Sequence, residues 1–196
     1  VNSEDAWDIS LGSDGIKIAI VDNAIATNHA EFSVFKQIDV VDNDYDASPP
    51  EYYGESFDWS HGTHCAGLAT AETNNANGIA SLGANSQLIA VKATGDEQNP
   101  RFTYSGYAGV QWACVNGANI VSMSYGSENS SSAMQELINA YPEVTFLGAA
   151  GNDGEAVVNY PAAYGNVIGV GSVEIDDTRS SFSNYNSPTD PFPWVD

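Results

Sequence analysis

Five apolar runs of strand length recur along this chain, at 16–21, 88–93, 120–124, 144–149 and 167–170, with helical patterns between several of them. Continuous apolar runs bounded by turn residues suit strands buried on both faces, the habit of a parallel sheet. Helical spacing is found over 61–73, 104–116 and 132–141, the last with Ser130 or Ser131 placed to cap it and Pro142 to stop it. A short amphipathic helix is expected within 3–13, ending near Gly12. Alternation of this kind predicts a three-layer α/β fold, a central mostly parallel sheet with helices on both faces. Repeats, low-complexity tracts and linkers are lacking in the sequence, so one domain over 1–196 is expected. Chemistry in such sheets collects beyond the carboxyl ends of the strands. Asp22, Ser124-Tyr125-Gly126 and Ala149 to Asn152 stand at three such ends, and His61 opens a helix able to meet Asp22 there.

Two of the three histidines, His61 and His64, stand three apart. A zinc pair with this spacing needs further Cys, His or carboxylate ligands, and the chain offers few near them. Asp22 closes an apolar strand, where an unpaired carboxylate is costly to bury. It needs a partner, and His61 is the candidate; a turn-forming role is the alternative.

The stretch His61-Gly62-Thr63-His64-Cys65-Ala66-Gly67 resembles the histidine signature of the subtilisin-like serine peptidases, the subtilases. Two further blocks match in that family's order: Ile18-Ala19-Ile20-Val21-Asp22 upstream and Gly148-Ala149-Ala150-Gly151-Asn152-Asp153-Gly154 downstream. The resemblance implies a serine endopeptidase in which Asp22 orients His61, His61 is the general base and Asn152 donates to the oxyanion. It also implies that Ser124, Tyr125 and Gly126 pair with the substrate backbone. Ala149, Ala150 and Gly151 would form the facing wall of the pocket for the residue before the scissile bond, with Asn159 at its base. Asn23-Ala24 departs from the pattern, since subtilases usually carry Ser or Thr and then Gly after the aspartate; a Cβ at Ala24 is expected to tighten the backbone there. The nucleophile block Gly-Thr-Ser-Met-Ala does not occur. The resemblance therefore implies a partial catalytic domain, inactive alone, whose partners are a peptide or protein substrate and the missing C-terminal fragment carrying the serine. The alternative is a non-catalytic subtilase-like module that binds peptides or proteins.

Acidic residues outnumber Lys and Arg by 26 to 5, a formal charge of -21. Phosphate contacts need a basic face, so nucleic acid and anionic membranes are excluded as partners. No run of 18 apolar residues occurs, so no membrane-spanning helix is expected. The chain starts at Val1 without a basic-then-apolar leader, which is read as removal of an export signal or propeptide; with the family this implies secretion. Cys65 and Cys114 are expected to be buried free thiols.

Two carboxylate groups are candidate ion ligands. Asp39, Asp44 and Asp46, trailed by Ser48-Pro49-Pro50, resemble the calcium loop of the kexin and furin branch. Glu31 and Asn77, with carbonyls near Asn74, Ile79 and Ser81, resemble the calcium site shared across subtilases. Hard oxygen ligands favour calcium over zinc, and its role would be structural.

Overall fold

A computed structural model describes residues 3–51, 57–189 and 193–195. The chain divides into two compact units, Val1–Val121 and Ser122–Asp196.

The first unit holds α1 (Ser3–Trp7), β1 (Lys17–Asp22), β2 (Val34–Asp39), α2 (His61–Thr70), β3 (Gln87–Lys92) and α3 (Gly106–Val115), with β4 (Ile120–Met123) starting at its end. β3 lies between β2 and β1, and both pairings are parallel. The register sets Asp22 and Asp39 on either side of Lys92 at the carboxyl ends of the strands. Side chains alternate across the sheet, so each strand offers two faces. Ile20, Leu88 and Ala90 join Ala66 of α2 in one buried cluster, with Ile18, Cys65 and Ala69 packed against it. The opposite face carries Val21, Val91 and Ala93, which meet Gly109 of α3. Helices thus cover both faces of β1 and β3, and this is why positions 18–21 and 88–91 of those strands are apolar. A Cβ on Gly109 would stand 2.6 Å from Val21 Cγ1, so the missing side chain lets α3 come close.

Three readings need correction. β2 carries Lys36, Gln37 and Asp39 on an edge strand, and this half-polar pattern hid it from the apolar-run criterion. α1 stops at Trp7 instead of extending towards Gly12. Ile9 is 88% exposed, so a second turn would have no core to pack on, while Trp7 is tied by its indole N–H to Ser81 O at 3.1 Å. α2 likewise ends at Thr70, three residues early, where Ala71 turns the chain out of the helix.

In the second unit the strand order is β4, β5 (Thr145–Ala149), β6 (Val167–Val170), with β5 and β6 parallel. α4 (Ser132–Ala140) is capped as expected, the Ser131 hydroxyl accepting from Met134 N–H. Ala150, Ala162 and Trp194 form a buried cluster beyond β5. Among the described residues no helix is long and apolar enough to cross a membrane. Neither cysteine is in a disulfide; Cys114 is buried as expected, whereas Cys65 is only half-buried because it sits on the first turns of α2 beside His61.

Candidate active site

Asp22 ends β1 and is 2% exposed, so its carboxylate has left water almost entirely. His61 opens α2, and its Nδ1 lies 2.8 Å from Asp22 Oδ1. The carboxylate holds the imidazole by its inner nitrogen, leaving a side chain that is 55% exposed. The bond to Asp22, aided by the Cys65 thiol at 4.0 Å, outweighs burial and pushes the His61 pKa up to about 10. Asp22 Oδ1 also accepts from Asn23 N–H at 2.7 Å, while Asp22 Oδ2 is buried without a hydrogen-bond partner among the described residues. His64 is exposed on the helix surface and joins neither group.

Helix and strand meet closely because position 62 is glycine. A Cβ there would stand 2.4 Å from Ala24 O and 2.8 Å from Asp22 Cβ. Ala24 is fully buried, and its carbonyl occupies the space a side chain at 62 would need.

Within the second unit, several of the residues expected to hold a substrate come together. Asn159 is buried and donates from Nδ2 to Ala149 O at 3.1 Å. Gly126 and Gly151 both abut it: a Cβ on Gly126 would stand 2.0 Å from Asn159 Nδ2, and one on Gly151 3.4 Å away. Ser127 and Tyr160 exchange backbone hydrogen bonds at 2.9 and 2.8 Å, pinning the segment after Ser124 and Tyr125 to the one carrying Asn159. Ala150 is buried in the cluster with Trp194, so it supports this wall from behind. Asn152 is exposed in the loop after β5, and its side chain makes no hydrogen bond among the described residues. Sequence reasoning passed over Asn184, which shapes that loop: its Oδ1 accepts from Asp153 N–H and Glu155 N–H, its Nδ2 donates to Asp153 Oδ2, and its N–H donates to Gly151 O.

The two candidate ion sites differ in kind. Glu31 is 3% exposed, and its Oε2 is buried without a hydrogen-bond partner among the described residues. Its Oε1 accepts weakly from Asn75 Nδ2 at 3.4 Å, and Gly78 presses against the carboxylate. Beside it residues 74–80 line a cavity of about 470 Å³. An orphaned buried carboxylate facing a carbonyl-bearing loop fits a hard cation. Asn75, not Asn77, is the amide in contact with Glu31; Asn77 is exposed and gives its N–H to Asn75 Oδ1.

At the other site, Lys92 Nζ lies 2.8 Å from Asp39 Oδ2 and also pairs with Asp96. At this distance the ammonium neutralises the charge on Oδ2. Burial alone would lower the Lys92 pKa; the bonds to Asp39 and Asp96 outweigh it and hold the pKa above its ordinary value. The carboxylates whose oxygens come within 4.8 Å of one another are Asp39, Asp42 and Asp96. Asp44 and Asp46 instead cap their own turns, accepting from Asp46 N–H and Ser48 N–H.

At one strand end of a parallel α/β sheet, a buried carboxylate thus bonds the imidazole that opens a covering helix, an acid–base dyad. The comparisons agree: the chain belongs to the subtilase family, whose model matches residues 13–195. It is 38% identical to thermitase of Thermoactinomyces vulgaris, covering all of this chain and 69% of that protein. The halolysin-like extracellular serine protease Nep of Natrialba magadii is 36% identical over 94% of this chain and 34% of its own length. A solved structure, the prenylagaramide maturation protease PagA, superposes with a TM-score of 0.75 at 21% identity, covering 95% of this chain and 64% of that one, a likeness of fold. The chain thus spans between about a third and about two thirds of these relatives.

Proposed function

We propose that this chain carries the acid-base and substrate-holding parts of a secreted serine endopeptidase. The single observation that carries the reading is the 2.8 Å bond between a buried carboxylate and an exposed imidazole. In this reading Asp22 keeps the Nδ1 proton, so that Nε2 is the atom that takes a proton from a serine hydroxyl. The serine oxygen then attacks the peptide carbonyl, Asn152 donates to the resulting oxyanion, and Nε2 returns the proton to the leaving amine. Water hydrolyses the acyl-enzyme by the same path. Gly126 and Gly151, which both abut Asn159, support the assignment of the substrate pocket to the second unit, with Ser124 and Tyr125 offering an extended edge to the peptide. A base with a pKa of about 10 is free in only about 1% of molecules at pH 8, so turnover rises with pH.

A calcium ion at Glu31 would neutralise its orphaned oxygen and hold the 74–80 loop, taking no part in bond breaking. Asp39 has a counter-charge already in Lys92, so Asp39, Asp44 and Asp46 are the weaker candidate set. Secretion is supported by the relative described as extracellular.

The nucleophilic serine lies outside the blocks present in this sequence, so the 196-residue polypeptide alone is proposed to be inactive. The test is fluorophosphonate labelling of the source protein, with His61→Ala and the isolated 196-residue chain alongside. Labelling of the source protein alone is expected. A source protein that binds peptides yet fails to label would replace this reading with the non-catalytic module.

A further inference from the structure

Asn23 follows the aspartate of the dyad and uses every hydrogen-bonding atom of its side chain. It is 3% exposed. Nδ2 donates to Asp58 O and to Pro100 O, each at 2.9 Å, and Oδ1 accepts from Ala24 N–H at 2.7 Å and from Gly62 N–H at 3.1 Å. Two donors and two acceptor positions are all that a carboxamide has. These partners bracket His61: Asp58 lies in the 3-10 turn Phe57–Trp59 just before it, and Gly62 immediately follows it. The Gly62 amide is one of the free donors at the start of α2, and the Ser60 side chain does not cap that helix. Asn23 caps it from another strand. Its own N–H meanwhile holds Asp22 Oδ1, the atom that His61 Nδ1 also contacts.

We propose that Asn23 is the positioning residue of the Asp22–His61 dyad: a buried carboxamide that caps α2 from the end of β1 and thereby sets the imidazole on the carboxylate. A seryl or threonyl hydroxyl is too short to span from β1 to Asp58, Pro100 and Gly62 together, so the departure from the family pattern here has its own structural work. The effect of Asn23 on catalysis rests on the peptidase reading; the geometric claim does not. The groups that touch the ring are Asp22 from β1 and Cys65 from α2 itself. The elements packed on α2 further carry Asp58, paired with Arg101, and Lys92, paired with Asp39 and Asp96.

The test is a pH titration of the histidine ring nitrogens by ¹⁵N NMR on the 196-residue chain and its Asn23→Ala, Asn23→Ser and Val110→Ala variants. Val110 is fully buried on α3, against the opposite face of the sheet, and its truncation loosens the fold without touching the dyad. Asn23→Ala and Asn23→Ser are expected to lower the His61 midpoint by about one unit or more and to speed exchange of its Nδ1 proton. Val110→Ala should leave both unchanged. If Asn23→Ala does not fold, the serine variant carries the comparison. An unchanged midpoint in a folded Asn23 variant overturns the proposal, as does an equal shift in Val110→Ala. In the source protein, at a pH above the His61 midpoint where the imidazole is the free base with or without the substitution, Asn23→Ala should lower kcat about 10- to 100-fold with KM unchanged. A source protein that fails to label with fluorophosphonate removes the peptidase reading but leaves the NMR outcome standing.

Discussion

Lys92 is the interior cation of the first unit, and replacing it with methionine tests how that unit tolerates its buried acids. Its side chain is 3% exposed, flanked by Asp39 at 1% and by Asp96 at 41%, and its Nζ stands 5.5 Å from the centroid of the Trp59 ring. Lys92→Met keeps the apolar stem and removes the charge. Asp96 can turn to water, but Asp39 cannot. Stranding one member of a buried pair costs about 3–5 kcal/mol. In a chain of this size that is a fall in Tm of about 6–20 °C. The loss should depend on pH in a definite sense. Without the ammonium, the buried Asp39 carboxylate has no counter-charge, and taking up a proton removes the stranded charge. The penalty is therefore complete where the carboxylate is ionised and fades as pH falls. Urea unfolding of wild type and variant at pH 8 and pH 5 should show the gap narrowing at the lower pH. Adding Asp39→Asn to Lys92→Met should recover most of the loss, because the stranded charge is gone. A loss below about 1 kcal/mol at pH 8, or no recovery in the double variant, would refute the reasoning.

Asp22→Asn should bring the His61 titration midpoint down from about 10 towards its ordinary value of 6.5, read by histidine NMR. Because the folded pKa of His61 is raised, its contribution to stability is complete below about pH 6.5 and lost as pH climbs through 10, so the wild-type advantage in thermal melts should shrink over that window. Gly62→Ala forces a methyl against Ala24 O and Asp22 Cβ, and should cost about 1–3 kcal/mol in denaturant melts while weakening the hydrogen-bonded Nδ1 proton signal of His61. Glu31→Gln should reverse in sign with calcium: a higher Tm than wild type in chelator, where the orphaned charge is relieved, and a lower Tm in millimolar calcium, where only wild type gains from binding. Parallel melts of both proteins in chelator and in calcium read this directly, and curves that never cross would count against an ion at Glu31.

What the sequence reveals of this molecule depends on whether a residue's partners leave a periodic or local trace. β1 and β3 are legible because helices cover both of their faces, so positions 18–21 and 88–91 are apolar without a break. β2 is an edge strand with Lys36 and Gln37, and it offers no such run. Asp22 is legible as a reactive group because a carboxylate ending an apolar strand demands a partner, and the residue opening the next helix supplies one. Lys92 left the same kind of signal, a cation ending an apolar run, yet its partners are Asp39, at the end of the half-polar edge strand β2, and Asp96, in a loop, acids that read as an ion site or as solvated turns. Asn23 left less: its carboxamide is spent on carbonyls at 58 and 100 and an amide at 62, positions with no shared spacing. Asn184 is equally silent, since it serves a loop some thirty residues away. The charged members of this dyad are therefore visible through the cost of burying them, whereas the neutral amides that hold loops and helix start in place carry no such cost once satisfied. Buried Asn side chains next to reactive groups are where the structure adds most to a reading of the residues alone, and Asn23 is the case in which that addition can be measured on a single imidazole.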